Sequence, residues 1–451
     1  MLNKIYRVLI ALVCMMVLIS CGKDVFMELE VEHSGNTSLR QEGERKYNDD
    51  IRNVLLLYSA GFNSISTYLD EDIQDLMKGW IPGSARRENV LLVYSHLPSK
   101  RGNYSVDNAP TLTRLLSDAN GNVIRDTLMC YPENTRSATP EQLHDVLEYV
   151  KNEFPARSYG MIFSSHATGY LPSGYYTNPT GYVYQKNDGR MYRNGNRSFY
   201  FPPVPYVEPF HDPSMPQVKS VGQDQVGTYG NYVSYEIQIE DFARALPMYM
   251  DYILFDACLM GGVEVAYELA GKCGKVGFSQ TEVLAEGFDY GTISSHLLAG
   301  NVPDLQSVCS DFFNQYDIQT GIYRSATISL VDCSRLKSLV DVCSGLFSEY
   351  RNVIAGLNPE IVQRYYRSNY HWFYDLVDIV DKAGATQTEL EALNKALDEC
   401  IIYKAATPEF MDTFEIRSYS GFSMYLPSNG SKELDKYYRT LKWNIDTGLV
   451  E

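Results

Sequence analysis

Short apolar runs bounded by polar residues recur along the chain, at 54–58, 90–94, 161–163 and 252–255. None alternates with polar positions as a half-exposed strand would, so each predicts a strand buried on both faces. Residues 276–278 and 327–331 predict two more. Between the runs the period changes. Thr139-Pro140-Glu141-Gln142 is a capping-box start with proline at the first helical position, and Leu143, Val146, Leu147 and Val150 follow at i, i+3, i+4, i+7. Similar patterns predict helices over about 63–78, 236–248 and 260–271. Strands alternating with helices predict an α/β fold, a mostly parallel central sheet flanked by helices and joined by right-handed crossovers. From 336 to 451 the pattern is helical, around 336–346 and 390–401, with a late strand at 421–427 packing on the core.

One segment breaks the pattern. Residues 170–235 hold 11 of the 36 tyrosines and eight prolines, with no helical period. A long patternless loop in a compact domain is usually functional, and this one reads as an insertion after the third predicted strand. The chain therefore divides into a core at 51–335, carrying that insertion, and a helical C-terminal region at 336–451.

Composition excludes some classes. With 45% hydrophobic and 21% charged residues the chain is globular in type, and 451 residues suffice for a large core. The net charge of -17 disfavours nucleic acid as a partner. Nine cysteines over this length are too sparse for a disulfide scaffold.

The N-terminus reads as an address. Lys4 and Arg7 precede an apolar run at 8–19, the layout of an export signal and too short for a comfortable membrane span. It ends in Leu18-Ile19-Ser20-Cys21-Gly22, which resembles a bacterial lipobox. The resemblance implies a signal peptide at 1–20, lipidation of Cys21, and attachment to the bilayer of the cell envelope, at the outer membrane or cell surface. Residues 21–50 are polar and read as a flexible linker.

Two predicted strands end in chemistry. One continues into Ser164-Ser165-His166-Ala167-Thr168-Gly169, the next into Asp256-Ala257-Cys258-Leu259-Met260-Gly261. Ligands of open α/β sheets bind beyond the carboxyl ends of strands. A thiol attacks only as thiolate, so an imidazole nearby matters, and a strand-to-helix turn favours the anion at the helix start. Asp256, two residues before Cys258 on an extended strand, points to the same side and suits a basic substrate side chain. Ser279, Thr281 and Glu282, past the fifth predicted strand, are further pocket candidates, and His96 is another histidine at a strand end.

Together, and in this order, these motifs resemble those of the clostripain family of cysteine peptidases, which share a caspase-like fold. The resemblance covers about residues 50–430, and Asp256-Ala257-Cys258-Leu259-Met260-Gly261 is its most specific part. It implies that Cys258 attacks the scissile carbonyl and that His166 protonates the leaving amine. It further implies an oxyanion held by the backbone N–H groups of Ala167 and Cys258, and cleavage after Arg or Lys read by Asp256. Many relatives carry glycine where Ala167 stands. Some relatives mature by cutting themselves between the histidine and the cysteine, and here Lys186, Arg190, Arg193, Arg197 and Lys219 are basic sites in that stretch. Calcium dependence is known in the family, but the chain has no compact EF-hand type loop, so no metal site or cofactor is assigned. The competing reading is a catalytically inactive caspase-like lipoprotein that binds peptide or glycan through its tyrosine-rich insertion. Zinc, phosphate-loop, dinucleotide and serine-elbow motifs are absent from the sequence.

Overall fold

The run expected at 54–58 lies inside β1 (Ile51–Ala60), where Val54, Leu55, Leu56 and Leu57 are all buried. Four consecutive buried side chains require a layer on each face of the strand. The computed structural model describes residues 51–451 except 62, 64, 85–87, 98, 102–103, 107–108, 134, 177–178, 185–214, 220–223, 229–230 and 369–370. The leader, Cys21 and linker readings, and the basic sites Lys186, Arg190, Arg193 and Arg197, lie outside the described residues.

After β1 come α1 (Ser66–Lys78), β2 (Asn89–His96), a hairpin of β3 (Thr111–Ser117) and β4 (Val123–Cys130), α2 (Pro140–Glu153) and β5 (Ala156–Ser164). Then follow α3 (Ile239–Ala245), β6 (Met250–Asp256), α4 (Val263–Leu269), β7 (Cys273–Phe278), α5 (Leu305–Asp317) and β8 (Thr327–Asp332). The Thr139 side chain accepts from the Gln142 N–H at 3.3 Å, capping α2 where its sequence predicts a start. The nine-stranded sheet runs β9-β8-β7-β6-β5-β1-β2-β3-β4, with β9 at Ile401–Ala406. Its centre is parallel: β1 pairs β2 and β5, and β6 pairs β5 and β7. Antiparallel strands close both edges. The hairpin escapes the sequence pattern because β4 is largely exposed and β3 has no continuous apolar run, with Thr113 and Arg114 between its leucines.

The C-terminal region contributes α6 (Lys337–Ile354), α7 (Leu376–Lys382) and α8 (Gln387–Cys400). The late strand shrinks to Ser423–Met424, paired with Tyr374–Asp375. The Ser423 N–H donates to the Gly261 carbonyl at 2.8 Å, tying this region to the loop after Cys258. The first part of the tyrosine-rich insertion packs on the same region. Tyr170 lies edge-on to Phe373 and Tyr438, Tyr175 to Trp372, and Tyr184 leans on Tyr437. These rings are part of the interior wall. Among the described residues no helix is long and apolar enough to cross a membrane.

Candidate active site

Register alone brings the two motifs together. Asp256 pairs with Ser164 across the parallel β5–β6 ladder, so His166 and Cys258 each lie two residues past a matched pair. The chain then turns sharply in both loops. Leu259 adopts φ of +61°, a left-handed conformation that costs a non-glycine residue roughly 1–3 kcal/mol and that its surroundings must enforce. Its N–H donates to the Thr281 carbonyl at 2.9 Å. Gly169, also at +61°, lets the histidine loop approach: a Cβ there would sit 2.4 Å from the Leu259 carbonyl oxygen.

The stretch Met215–Lys219 of the insertion lies across both loops. Val218 bridges Leu284 antiparallel; the Lys219 N–H donates to the Val283 carbonyl at 2.8 Å, and the Ala285 N–H to the Gln217 carbonyl at 2.9 Å. This is a single antiparallel bridge flanked by two main-chain bonds, the pairing by which an extended peptide adds to a backbone edge. The Lys219 carbonyl accepts from the N–H groups of Ala167 and Cys258, each at 3.3 Å, the two groups that the family resemblance implies as oxyanion donors. The His166 ring bonds to the Lys219 main chain. The Cys258 thiol is fully buried, with its sulfur accepting from the Val283 N–H at 3.0 Å.

The Lys219 side chain is wholly buried and turns down between strand ends. Its ammonium bonds to Asp256, to Asp72 at 3.1 Å and to the Ser164 hydroxyl at 3.3 Å. Asp256 also accepts from Ser164 at 3.0 Å and from the Tyr290 hydroxyl at 2.7 Å. Gly287, at φ +63°, forms a wall: a Cβ there would lie 2.5 Å from both Asp256 and the Lys219 nitrogen. Its carbonyl is held by the Tyr316 hydroxyl at 2.8 Å.

Burial dominates the electrostatics. It drives the His166 ring down to about 3, with the Lys219 charge adding to the effect, so the imidazole is neutral beneath the covering stretch. Burial raises the Asp72 carboxyl well above its usual range, while Lys219 pulls the other way. Burial works against the Lys219 charge, but Asp256 and Asp72 more than offset it and hold the ammonium above its ordinary value.

The remaining candidates take other places. Ser279 and Thr281 are buried and hydrogen-bond to the Thr327 hydroxyl, at 2.9 and 3.1 Å. Glu282 pairs with Arg367 at 3.0 Å. His96 is buried against the Ser137 hydroxyl at 2.7 Å, itself bonded to Tyr94. A cavity of about 50 Å³ opens on the His166 side, lined by Phe163, Thr168, Glu236, Phe242 and Met260 among others. Cys130 is exposed, the other six described cysteines are buried, and no disulfide joins any of the described cysteines. Among the described residues no group of three or more His, Cys, Asp or Glu side chains could hold a metal ion.

Sequence reasoning missed Asp72, Tyr290, Gly287 and Arg367. Only Asp72 leaves a trace in the pattern. It lies on the buried stripe of α1 with Leu69, Ile73 and Leu76, where an acid is out of place.

The family model described as the clostripain family matches residues 57–193 and 209–448. Among solved structures, the chain is similar to an inactive zymogen C11 protease from Parabacteroides distasonis, at 25% identity over 88% of this chain and 98% of that one, with a TM-score of 0.68. It is also similar to iotapain, a secreted C11 cysteine protease from Bacteroides thetaiotaomicron, at 21% identity over 88% and 99%, TM-score 0.66. The likeness extends to a secreted C11 protease of that organism in complex with an irreversible peptide inhibitor, at 21% identity over 88% and 99%, TM-score 0.65. No curated protein matches the chain. The mixed α/β architecture with its mostly parallel central sheet is the one these proteases share.

Proposed function

The chain belongs to the clostripain family of cysteine peptidases, and from that premise we propose that it cleaves peptide bonds after lysine or arginine through Cys258 and His166, on a bacterial envelope to which acylated Cys21 holds it. Lys219 carries the reading of specificity. Its ammonium occupies the pocket of Asp256, while its carbonyl lies on two converging backbone donors. A substrate residue needs the same placement, with charge read below and the scissile carbonyl polarised above.

In the reaction the Cys258 sulfur bonds to the carbonyl carbon after passing its proton to His166. The Ala167 and Cys258 N–H groups hold the oxyanion. His166 then gives that proton to the departing amine as the C–N bond breaks. Water hydrolyses the thioester and restores the thiol. Lys219 itself meets these requirements, so the bond between Lys219 and Ser220 is the proposed maturation cut, and the uncut chain is closed to other substrates. The likeness to an inactive zymogen supports this reading.

The test is hydrolysis of Lys- and Arg-terminated reporter peptides by the wild type and by Cys258→Ala, with mass spectrometry of the chain. Turnover by the wild type alone, with a new N-terminus at Ser220, is expected. No turnover of either peptide by chain cut at 219 overturns the specificity reading, and a chain active while intact overturns the maturation cut. For the anchor, Cys21→Ser is expected to release the chain from the membrane fraction; retention there removes the acyl role.

A further inference from the structure

We infer that Asp72 is a second specificity-determining carboxylate of the basic pocket, and that it fits the pocket to the compact ammonium of lysine over the guanidinium of arginine. The inference rests on the reading of Lys219 as a substrate-like occupant. Three acceptors converge on its single nitrogen: Asp256, Asp72 at 3.1 Å and the Ser164 hydroxyl at 3.3 Å. An ammonium has three N–H donors, so all are satisfied at one point.

The surroundings leave little room for a larger head. The Asp72 and Asp256 side chains are 7% and 0% exposed with lysine in place. The wall at Gly287 is so close that even a methyl group there would strike both the carboxylate and the nitrogen. Its backbone is pinned from behind by the Gln315 and Tyr316 side chains, so it does not recede easily. A guanidinium is planar, extends beyond the position of the lysine nitrogen, and seeks two parallel bonds to one carboxylate. Here Asp256 already spends its Oδ2 on Ser164 and Tyr290. Asp72 comes from α1, far from either catalytic loop in sequence, and closes the end of the pocket.

The experiment compares kcat/KM for Lys- and Arg-terminated reporters on one sample of full-length, self-cut protein, wild type and Asp72→Asn. The ratio cancels the fraction of active enzyme. The wild type is expected to prefer lysine. Asparagine keeps the shape and loses the charge, so the Lys:Arg ratio should fall at least about tenfold, the scale of one charge-assisted bond. The change should fall mainly on KM for the lysine peptide. A wild-type preference for arginine, or a ratio that Asp72→Asn leaves unchanged, overturns the inference while leaving basic specificity intact. Hydrolysis of neither peptide by the wild type instead overturns the underlying reading. If Asp72→Asn fails to fold or to cut itself, the comparison moves to uncuttable Cys258→Ala chains with and without Lys219→Arg. A lower melting temperature with arginine supports the fit, and an equal or higher one refutes it.

Discussion

Replacing Lys219 by methionine keeps most of the unbranched side chain, one atom shorter, and deletes its charge. In the closed chain this leaves Asp72 and Asp256, both buried, without their cation. Removing one partner of a buried ion pair costs about 3–5 kcal/mol, because the remaining charge stays desolvated. Protonation of Asp72, whose carboxyl burial already raises well above its usual range, recovers part of that cost. The main-chain bonds from residues 217 and 219 to 283 and 285 are untouched. A net loss near 3 kcal/mol raises the population in which the stretch has lifted by roughly 100-fold, at about 1.4 kcal/mol per tenfold. The assay is alkylation of Cys258, which is fully buried beneath the stretch. A His166→Ala background prevents self-cutting, and exposed Cys130 serves as an internal standard for the reagent. Cys258 should react slowly in the parent and about 100-fold faster with Lys219→Met, while Cys130 is unchanged. Equal Cys258 rates in the two chains would refute the claim that the ammonium holds the site closed.

Gly169→Ala forces a side chain into the left-handed region and against the Leu259 carbonyl, 2.4 Å away. It should cost about 2–4 kcal/mol in denaturant unfolding, against about 1 kcal/mol for Gly174→Ala, where nothing lies within 4 Å. His166 is held at about 3 by burial, against 6.5 in an open chain. Below pH 6.5 the unfolded chain takes up a proton that the closed fold refuses, so stability falls with pH, by about 3 kcal/mol at pH 4.5. Melting of Cys258→Ala should therefore drop more steeply from pH 7 to 4.5 than that of Cys258→Ala with His166→Asn; parallel curves would contradict this. Glu264 has the opposite sign. Burial raises it to about 7, so its contribution is lost as pH rises from 4.5 through 7, and Glu264→Gln should raise the melting temperature at pH 8 and not at pH 5. After cutting at 219 the two fragments should separate on a denaturing gel yet elute together in gel filtration, because β5 and β6 pair directly across the cut.

The framework of this fold is legible because its signals are local. Runs of buried residues mark β1, β2, β5 and β6, and the capped start at Thr139 marks α2. Strand alternation does not reach Cys258, because β6 ends at Asp256 and the cysteine lies in the turn beyond it. The edges were less legible, since β4 exposes most of its side chains and offers no apolar run. Asp72 was hidden for a different reason. Its part in the pocket depends on how closely α1 approaches the end of β6, which no local spacing encodes; only its intrusion into an apolar helical stripe hints at it.

The insertion was the hardest to read, because it does two unlike things with one composition. Its tyrosines suggest a recognition surface, yet Tyr170 and Tyr175 are rings buried against the C-terminal region, and Tyr176 is half-buried there. Tyrosine serves there because a large ring fills the wall while its hydroxyl finds a partner, as Tyr170 does on the Trp372 carbonyl. The segment that reaches the loops of His166 and Cys258 has no aromatic residue: Pro216-Gln217-Val218-Lys219 is held by backbone pairing, one buried aliphatic side chain and one buried charge. Backbone pairing carries almost no sequence signature. An occupant bound mainly through its backbone and a single charged side chain is also one that other peptides can imitate. On the proposed reading of Lys219, the feature that makes this stretch hard to find in the sequence is the one that would let an exchangeable substrate replace it.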